Sequence, residues 1–350
     1  MTREERQETE DRADTEDVGV VVIGRNEGDR LVTCLRSAAH QVRHIVYVDS
    51  GSSDGSQPRA RECGADVVVL DCDTPFTAAR ARNAGLSRLL ELDPRLSFVQ
   101  FVDGDCELRD RWIHDGVAVL RNDDTIAVVC GRLRERYPER SVYNRMCDIG
   151  WDYPVGDIAA CGGLAMYRVS DFRQVDGFNS SLIAGEEFEL CSRIRANSRR
   201  IVRIDVEMAW HDVGITRFSQ WWRRHLRGGY GFAEGCFLYD KQLGRSHRKA
   251  TVSSVFWALL LPAAMILAII AAALVRWPGL SLAVFVVPVI YAAQFLRLTL
   301  QNRGRNRGVR DSAGYSFFLM LSKFPEAHGI LRYWIQRLRR KKSEIIEYRN

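Results

Sequence analysis

Apolar residues along this chain gather into short continuous runs, each of which breaks into a polar loop. The first, Val18 to Ile23, is uninterrupted, as a strand buried on both faces of a parallel sheet requires, and it gives way to Gly24-Arg25-Asn26-Glu27-Gly28. Leu31, Cys34, Leu35 and Ala38 then recur at helical spacing. A second run, His44 to Val48, feeds Asp49-Ser50-Gly51-Ser52-Ser53-Asp54-Gly55-Ser56, and a third strand is expected over Ala65 to Leu70. Thr77 to Leu90 predicts a helix carrying Arg80, Arg82 and Asn83. Ser97 to Val102 reads as another buried strand that stops at Asp103-Gly104-Asp105. Strands alternating with helices at this spacing imply a doubly wound, mostly parallel sheet.

Downstream, CGGLAMYR predicts a short strand ending near Arg168. The segment beginning Gly185-Glu186-Glu187 opens a helix with Leu190, Ile194 and Phe188 turned inward, and Ile201 to Val206 is a further strand, followed by Trp210-His211-Asp212. The pattern changes at Thr251. From there to Val275 no charge occurs, and after Arg276-Trp277-Pro278-Gly279 a second apolar run extends from Leu280 to Leu296. His247-Arg248-Lys249 precede the first run, and Arg297, Arg303, Arg305, Arg307 and Arg310 follow the second, so the positive-inside rule places both flanks on the cytoplasmic side of a transmembrane hairpin. Tyr315 and the apolar and basic residues after it suit an amphipathic segment lying in the membrane interface.

Composition sharpens this division. Residues 1–17 hold eight acids and three arginines with no large apolar side chain after Met1, which predicts a disordered acidic tail without a secretory signal. The nine cysteines are scattered and never spaced as C-x-x-C, arguing against a zinc site or a disulfide framework and for a reducing compartment. Net charge is +6, but the basic residues cluster beside the apolar runs, favouring a membrane surface over nucleic acid.

The chemistry lies in the loops. Two carboxylates flanking a glycine at the carboxyl end of a strand, where open α/β sheets bind ligands, are able to hold a hard divalent cation and the diphosphate it carries. No G-x-G-x-x-G and no G-x-x-x-x-G-K-[ST] occurs, so a dinucleotide or P-loop mode of phosphate binding is not expected.

Taken in order, VVVIGRNEG, IVYVDSGSSDGS, ARARNAGL, FVDGDCEL, CGGLAMYR and GFNSSLIAGEEFELCSRIR resemble the motifs of family 2 glycosyltransferases with the GT-A fold, over residues 18 to about 235. The resemblance implies a doubly wound mixed sheet and an inverting, Mn²⁺- or Mg²⁺-dependent transfer from a nucleotide diphosphate sugar. It implies that Asn26, Glu27, Asp49, Arg82, Asn83 and Asp103 bind the nucleotide sugar and that Asp103, Asp105 and His211 hold the metal. Gly162, Gly163, Glu186, Trp221 and Arg223 would face the acceptor, and Glu187 would be the general base, in a segment that usually reads G-E-D-x-D. The family often has a second acid where Ser50 stands. Gln220 and Arg223 faintly resemble the Q-x-x-R-W element of processive synthases, but Arg224 replaces its tryptophan.

The expected organisation is a tail over 1–17, a GT-A domain over 18–235, a basic linker over 236–250, a transmembrane hairpin over 251–298 and a basic cytoplasmic tail over 299–350. The partners implied are a nucleotide sugar, a glycan or lipid-linked acceptor and the bilayer, with the catalytic domain on the cytoplasmic face of the plasma or inner membrane and no nucleic acid. A catalytically silent, nucleotide-sugar-binding membrane subunit is the alternative, kept open by Glu187 and Ser50. A nucleotidyltransferase is a fainter one, disfavoured by the absence of a glycine-rich phosphate-binding stretch in the first loop.

Overall fold

A computed structural model of the chain describes residues 14–71, 73–238, 245–275, 283–303 and 308–339. Within them the chain divides into two units, one of residues up to Glu139 together with Trp151–Gly214, the other of Arg140–Gly150 together with the residues from Ile215 onward.

The first unit is built on the runs that the apolar pattern picks out. Strand β1 (Val18–Gly24) leads to helix α1 (Asp29–Ala39), β2 (His44–Asp49) to α2 (Ser56–Glu62), and β3 (Asp66–Val69) to α3 (Ala78–Leu92). Then come β4 (Phe98–Asp103), the short β5 (Cys106–Leu108), α4 (Trp112–Asn122) and β6 (Ile126–Glu135). After α5 (Val142–Trp151), most of which belongs to the second unit, the first unit continues with β7 (Gly156–Asp157), β8 (Ala165–Arg168), α6 (Val169–Gln174), α7 (Glu186–Ala196) and β9 (Arg200–His211).

The sheet runs β3-β2-β1-β4-β8-β6-β9-β5, with β7 on β9. Its first four strands are parallel, and β8 enters antiparallel between β4 and β6, giving the doubly wound mixed sheet expected. Strand order reverses between β1 and β4, because β2 and β3 lie to one side of β1 and β4 to the other. Ile23 pairs with Asp103 and Gly24 with Asp49, so three loops leave the sheet side by side at this switch point, the position where α/β sheets take ligands.

Burial follows strand type. Val20, Val21 and Val22 are fully buried because both faces of β1 are covered, and Leu31, Cys34, Leu35 and Ala38 form the inward stripe of α1. Behind β4, Phe101, Tyr167, Phe172 and Phe178 pack edge-on or tilted, with ring centres 5.4–6.1 Å apart.

Several expectations change. Residues 1–13 lie outside the described residues, but 14–17 are not a free tail: Thr15 is buried and donates to the Gln41 carbonyl at 2.6 Å. Phe188 is not inward, being 48% exposed, whereas Leu190 and Ile194 are buried. The strand expected to end at Val206 continues as β9 through His211, because its second half pairs with β6 and β5.

The second unit is helical. It holds α8 (Phe218–Leu238), α9 (Arg245–Val255), a π-helical turn over Phe256–Leu260, α10 (Leu261–Val275), α11 (Ala283–Arg303), α12 (Val309–Leu321) and α13 (Lys323–Leu338). Residues 239–244 of the expected linker lie outside the described residues, and its two ends are helix. One helix among the described residues, Ser246–Leu274, is long and apolar enough to cross a membrane. Most of the second apolar run falls in α11, which contains Pro288 and continues through Arg297, and it does not match that length and apolarity. The expected hairpin therefore reduces to a single candidate span. Its connecting turn lies outside the described residues.

Helices α8 and α13 meet through paired glycines. A Cβ on Gly229 would lie 2.0 Å from the Glu326 carbonyl oxygen, and one on Gly329 would lie 2.0 Å from that of Leu226. No side chain fits there. Gly229→Ala and Gly329→Ala are each expected to destabilise the helical unit by about 1–3 kcal/mol or more, read as a lowered melting temperature of the full chain in detergent. Unchanged melting would show that the helices do not meet this closely.

Candidate active site

The Arg82 guanidinium, on the inward face of α3, sits among three carboxylates. It donates to Asp103 at 3.0 Å and to Glu186 at 2.9 Å, and Glu187 lies 3.6 Å away. The Phe178 ring lies 5.4 Å below it. Burial by itself would weaken the guanidinium's hold on its proton, yet the charges of Asp103, Glu187 and Glu186 keep its pKa above the ordinary value. An ion cluster this well buried is costly to form and more costly to break, since loss of one member strands the others.

Glu187 is the unsettled member. Burial and the adjacent Glu186 charge push its carboxyl up to about 7, with Arg82 pulling the other way. Its side chain keeps 19% exposure, against 4% for Glu186, so it is the carboxylate of the pair with access to solvent. A carboxyl poised near neutrality and still partly exposed suits proton transfer.

Gly163 is what allows this cluster. A Cβ there would lie 2.2 Å from Arg82 Nη2 and 3.1 Å from Glu187 Oε1, whereas one on Gly162 would meet nothing within 4 Å. The first glycine lines open space and the second lets the backbone pass over the ion cluster.

A second group lies at the ends of β4, β5 and β9. Asp105 and His211 are both buried, with His211 Nε2 2.8 Å from Asp105 Oδ2, and Trp151 stacks on the imidazole at 4.8 Å. Cys106 and His211 are cross-strand partners, so Asp105, Cys106 and His211 bring ligand atoms within 4.8 Å of one another. The Cys106 thiol is raised well above its ordinary range, by burial first and nearby negative charge second, which leaves it protonated. Carboxylate oxygen and imidazole nitrogen are thus the ligands suited to a hard divalent cation. Asp103 does not join this group; its carboxylate turns to Arg82.

The nucleotide-side residues are arranged differently from the expectation. Asp49 is completely buried, accepting from the Tyr47 hydroxyl at 2.9 Å, the Gly51 and Ser52 amides at 3.2 and 2.9 Å, and Gln57 at 2.9 Å. Burial opposes its ionisation, but these bonds outweigh it and hold the carboxyl below its usual range. With its acceptors occupied, Asp49 shapes the loop from within. Asn26 accepts from the Ser53 amide at 2.8 Å, its own amide donates to Ser52 at 2.9 Å, and the Gly28 amide donates to Asp54 at 2.9 Å. Asn26 is exposed. Glu27 pairs with Arg30 at 2.8 Å and packs against Gly24 and Gly104.

Asn83 is likewise structural. Its amide donates to the Phe178 carbonyl at 2.7 Å and accepts from the Phe178 amide at 3.0 Å, tying α3 to the segment that leads into α7. Trp221 belongs to the second unit, 2% exposed and packed against Tyr143, Phe218 and Phe318 in the core of that unit. Arg223, also in that unit, donates to the Ser219 carbonyl at 3.4 Å. Tyr47, Gln57 and Asp54 were not singled out by sequence reasoning. The serine and glycine content of residues 50–56 was the available signal.

Residues 19–175 match the family model described as Glycosyl transferase family 2. The glycosyltransferase AglE of Haloferax volcanii is 26% identical over 129 residues, 35% of this chain and 40% of that protein. The pre-mycofactocin glycosyltransferase of Mycobacterium tuberculosis is 26% identical over 213 residues, 56% of this chain and 43% of that protein. The chain thus spans less than half the length of these relatives. Among solved structures, the mannosyltransferase PcManGT of Pyrobaculum calidifontis, in complex with GDP-Man and Mn²⁺, is similar with a TM-score of 0.47 at 19% identity, covering 79% of this chain and 85% of that one.

The glycine pair gives a sharp test. Gly163→Ala is expected to destabilise the first unit by about 1–3 kcal/mol, while Gly162→Ala stays within about 0.5 kcal/mol of wild type. Thermal unfolding of the two variants checks this, and equal melting temperatures would contradict the close approach of Arg82.

Proposed function

Residues 19–175 belong to glycosyl transferase family 2, and from that premise we propose that the protein is an inverting glycosyltransferase, moving a sugar from a nucleotide diphosphate donor to a hydroxyl of a glycan or lipid-linked acceptor. The observation that carries this reading is Glu187, 3.6 Å from Arg82, raised to about 7 and partly exposed. In it Glu187 takes the acceptor's proton as the new bond forms. Arg82 holds Glu187 and Asp103 in register across the site and lowers the cost of the ionised base. The loops 24–28 and 50–56 receive the nucleoside, with Asp49 and Asp54 keeping their amides in place. Asp105 and His211 would hold Mn²⁺ or Mg²⁺, and the cation would offset charge on the departing diphosphate. The helix Ser246–Leu274 seats the chain in a bilayer, and Arg248 and Lys249 at its start favour the cytoplasmic side, where nucleotide sugars are found.

Glu187→Gln separates this reading from a silent donor-binding subunit. Transfer should fall roughly 10²- to 10⁴-fold with donor affinity nearly unchanged. Glu189→Gln, whose carboxylate pairs with Arg193 at 2.6 Å, should keep activity. In the wild type kcat/KM should rise with pH up to about 7 and then level, because the ionised base is the active form, and the glutamine variant should lack this limb. Stability moves the other way. A folded-state value above the ordinary 4.5 makes ionisation costly, a cost absent at low pH, growing between about 4.5 and about 7 and constant above, so the variant should gain in Tm over wild type across that interval. Loss of activity in Glu189→Gln as well, or none in Glu187→Gln, overturns the assignment of the base.

Asp105→Ala should abolish Mn²⁺-dependent nucleotide binding measured by calorimetry while the fold is retained. Full turnover in excess chelator would remove the cation from the reading.

A further inference from the structure

The start of the candidate span has two dissimilar sides. On one, Ser254 and Ala258 are buried, and the Ser254 hydroxyl donates to Glu326 at 2.6 Å, which fixes the rotation of the helix. The other side carries two adjacent rows at four-residue spacing, Arg248-Val252-Phe256 and Lys249-Ser253-Trp257, which together form a shallow, widely open and almost wholly apolar depression along this one helix. Val252 and Phe256 are 66% and 41% exposed, and among the described residues neither Arg248 nor Lys249 has an acidic partner.

Each row therefore begins with a cation and runs toward the middle of the span, one over Val252 and Phe256 and the other over Ser253 to Trp257. That sequence of chemistries matches a lipid lying along the helix, headgroup first. The π-helical turn starts at Phe256, and the Trp257 carbonyl accepts from the Tyr291 hydroxyl of α11, whose ring centre is 5.5 Å from that of Trp257. The indole is thereby held against α11, on the side that carries the two rows. π-turns inside α-helices concentrate at functional positions.

We propose that this depression is a binding site for an anionic phospholipid, its phosphate between Arg248 and Lys249 and an acyl chain along Val252 and Phe256 beside Trp257. Charge complementarity selects the occupant: two cations at a bilayer surface attract an anionic headgroup about fivefold each, so a zwitterionic lipid is the weaker ligand. The inference rests on the proposal that Ser246–Leu274 enters a bilayer, and the two are separable by experiment.

The full chain is reconstituted into phosphatidylcholine vesicles containing brominated phosphatidylglycerol or brominated phosphatidylcholine, and tryptophan quenching is measured in wild type, Trp257→Phe and the Arg248→Gln/Lys249→Gln double variant. The quenching that disappears in Trp257→Phe should be stronger with the anionic lipid, by about 10- to 30-fold in apparent affinity. The double variant should float with vesicles and lose that preference. Equal quenching by both lipids, or a preference surviving in the double variant, overturns the site. Displacement of the brominated lipid by a polyprenyl phosphate but not by unlabelled phosphatidylglycerol reassigns the site to a lipid-linked substrate and overturns the phospholipid. Failure of the wild type to float with vesicles overturns the membrane reading together with this site.

Discussion

One buried guanidinium holds the site of the first unit together. Arg82 comes from α3, Asp103 from the end of the next element, β4, and Glu186 and Glu187 from the first turn of the distant α7, so three elements converge on a single cation. The arrangement needs each part: without Arg82 three carboxylates would face one another in a poorly hydrated place, and without the carboxylates a desolvated charge would be left alone. Gly163 completes it by offering backbone where any side chain would collide with the guanidinium. The raised carboxyl of Glu187 follows from the same crowding, since two acids share one strong partner and the second bears the cost of burial.

Around this cluster the loops at the switch point are braced by acids that bond to the loops themselves. Asp49 spends its carboxylate on Tyr47, Gln57 and the amides of the loop, and Asp54 joins the loop after β1 to the loop after β2 through the Gly28 amide. Internal bonding of this kind fixes the direction of backbone amides before a ligand arrives, lowering the ordering cost of binding. The helical unit follows another rule. Its closest contact is made by glycines on α8 and α13, and Glu326 gathers Ser254, Ser322 and Lys323 at 2.6–2.9 Å around one buried carboxylate. Its apolar side chains, Leu267 and Leu274 among them, are left facing outward, as suits a hydrocarbon surrounding.

Much of this was legible in the chain alone. A continuous run such as Val18–Ile23 can be satisfied only by burial on both faces, and the alternation of such runs with helical stripes determined the doubly wound sheet and the strand ends where polar loops collect. The motif order from VVVIGRNEG onward carried the resemblance that the family model matches over residues 19–175, and an uncharged run of 25 residues from Thr251 marked the candidate span. Tertiary structure alone decided what the marked side chains do. Asp49, Asn83 and Trp221 carry residue types that suit ligand contact, yet packing turned Asp49 into a loop brace, Asn83 into a clamp on Phe178 and Trp221 into core. Asp103 and Asp105, one residue apart, went to different partners because the chain bends between β4 and β5, sending one carboxylate to Arg82 and the other to His211. Local sequence states which groups are available. Which of them share a partner is set by contacts between residues 21 to 106 positions apart, and those exist only once the sheet has closed.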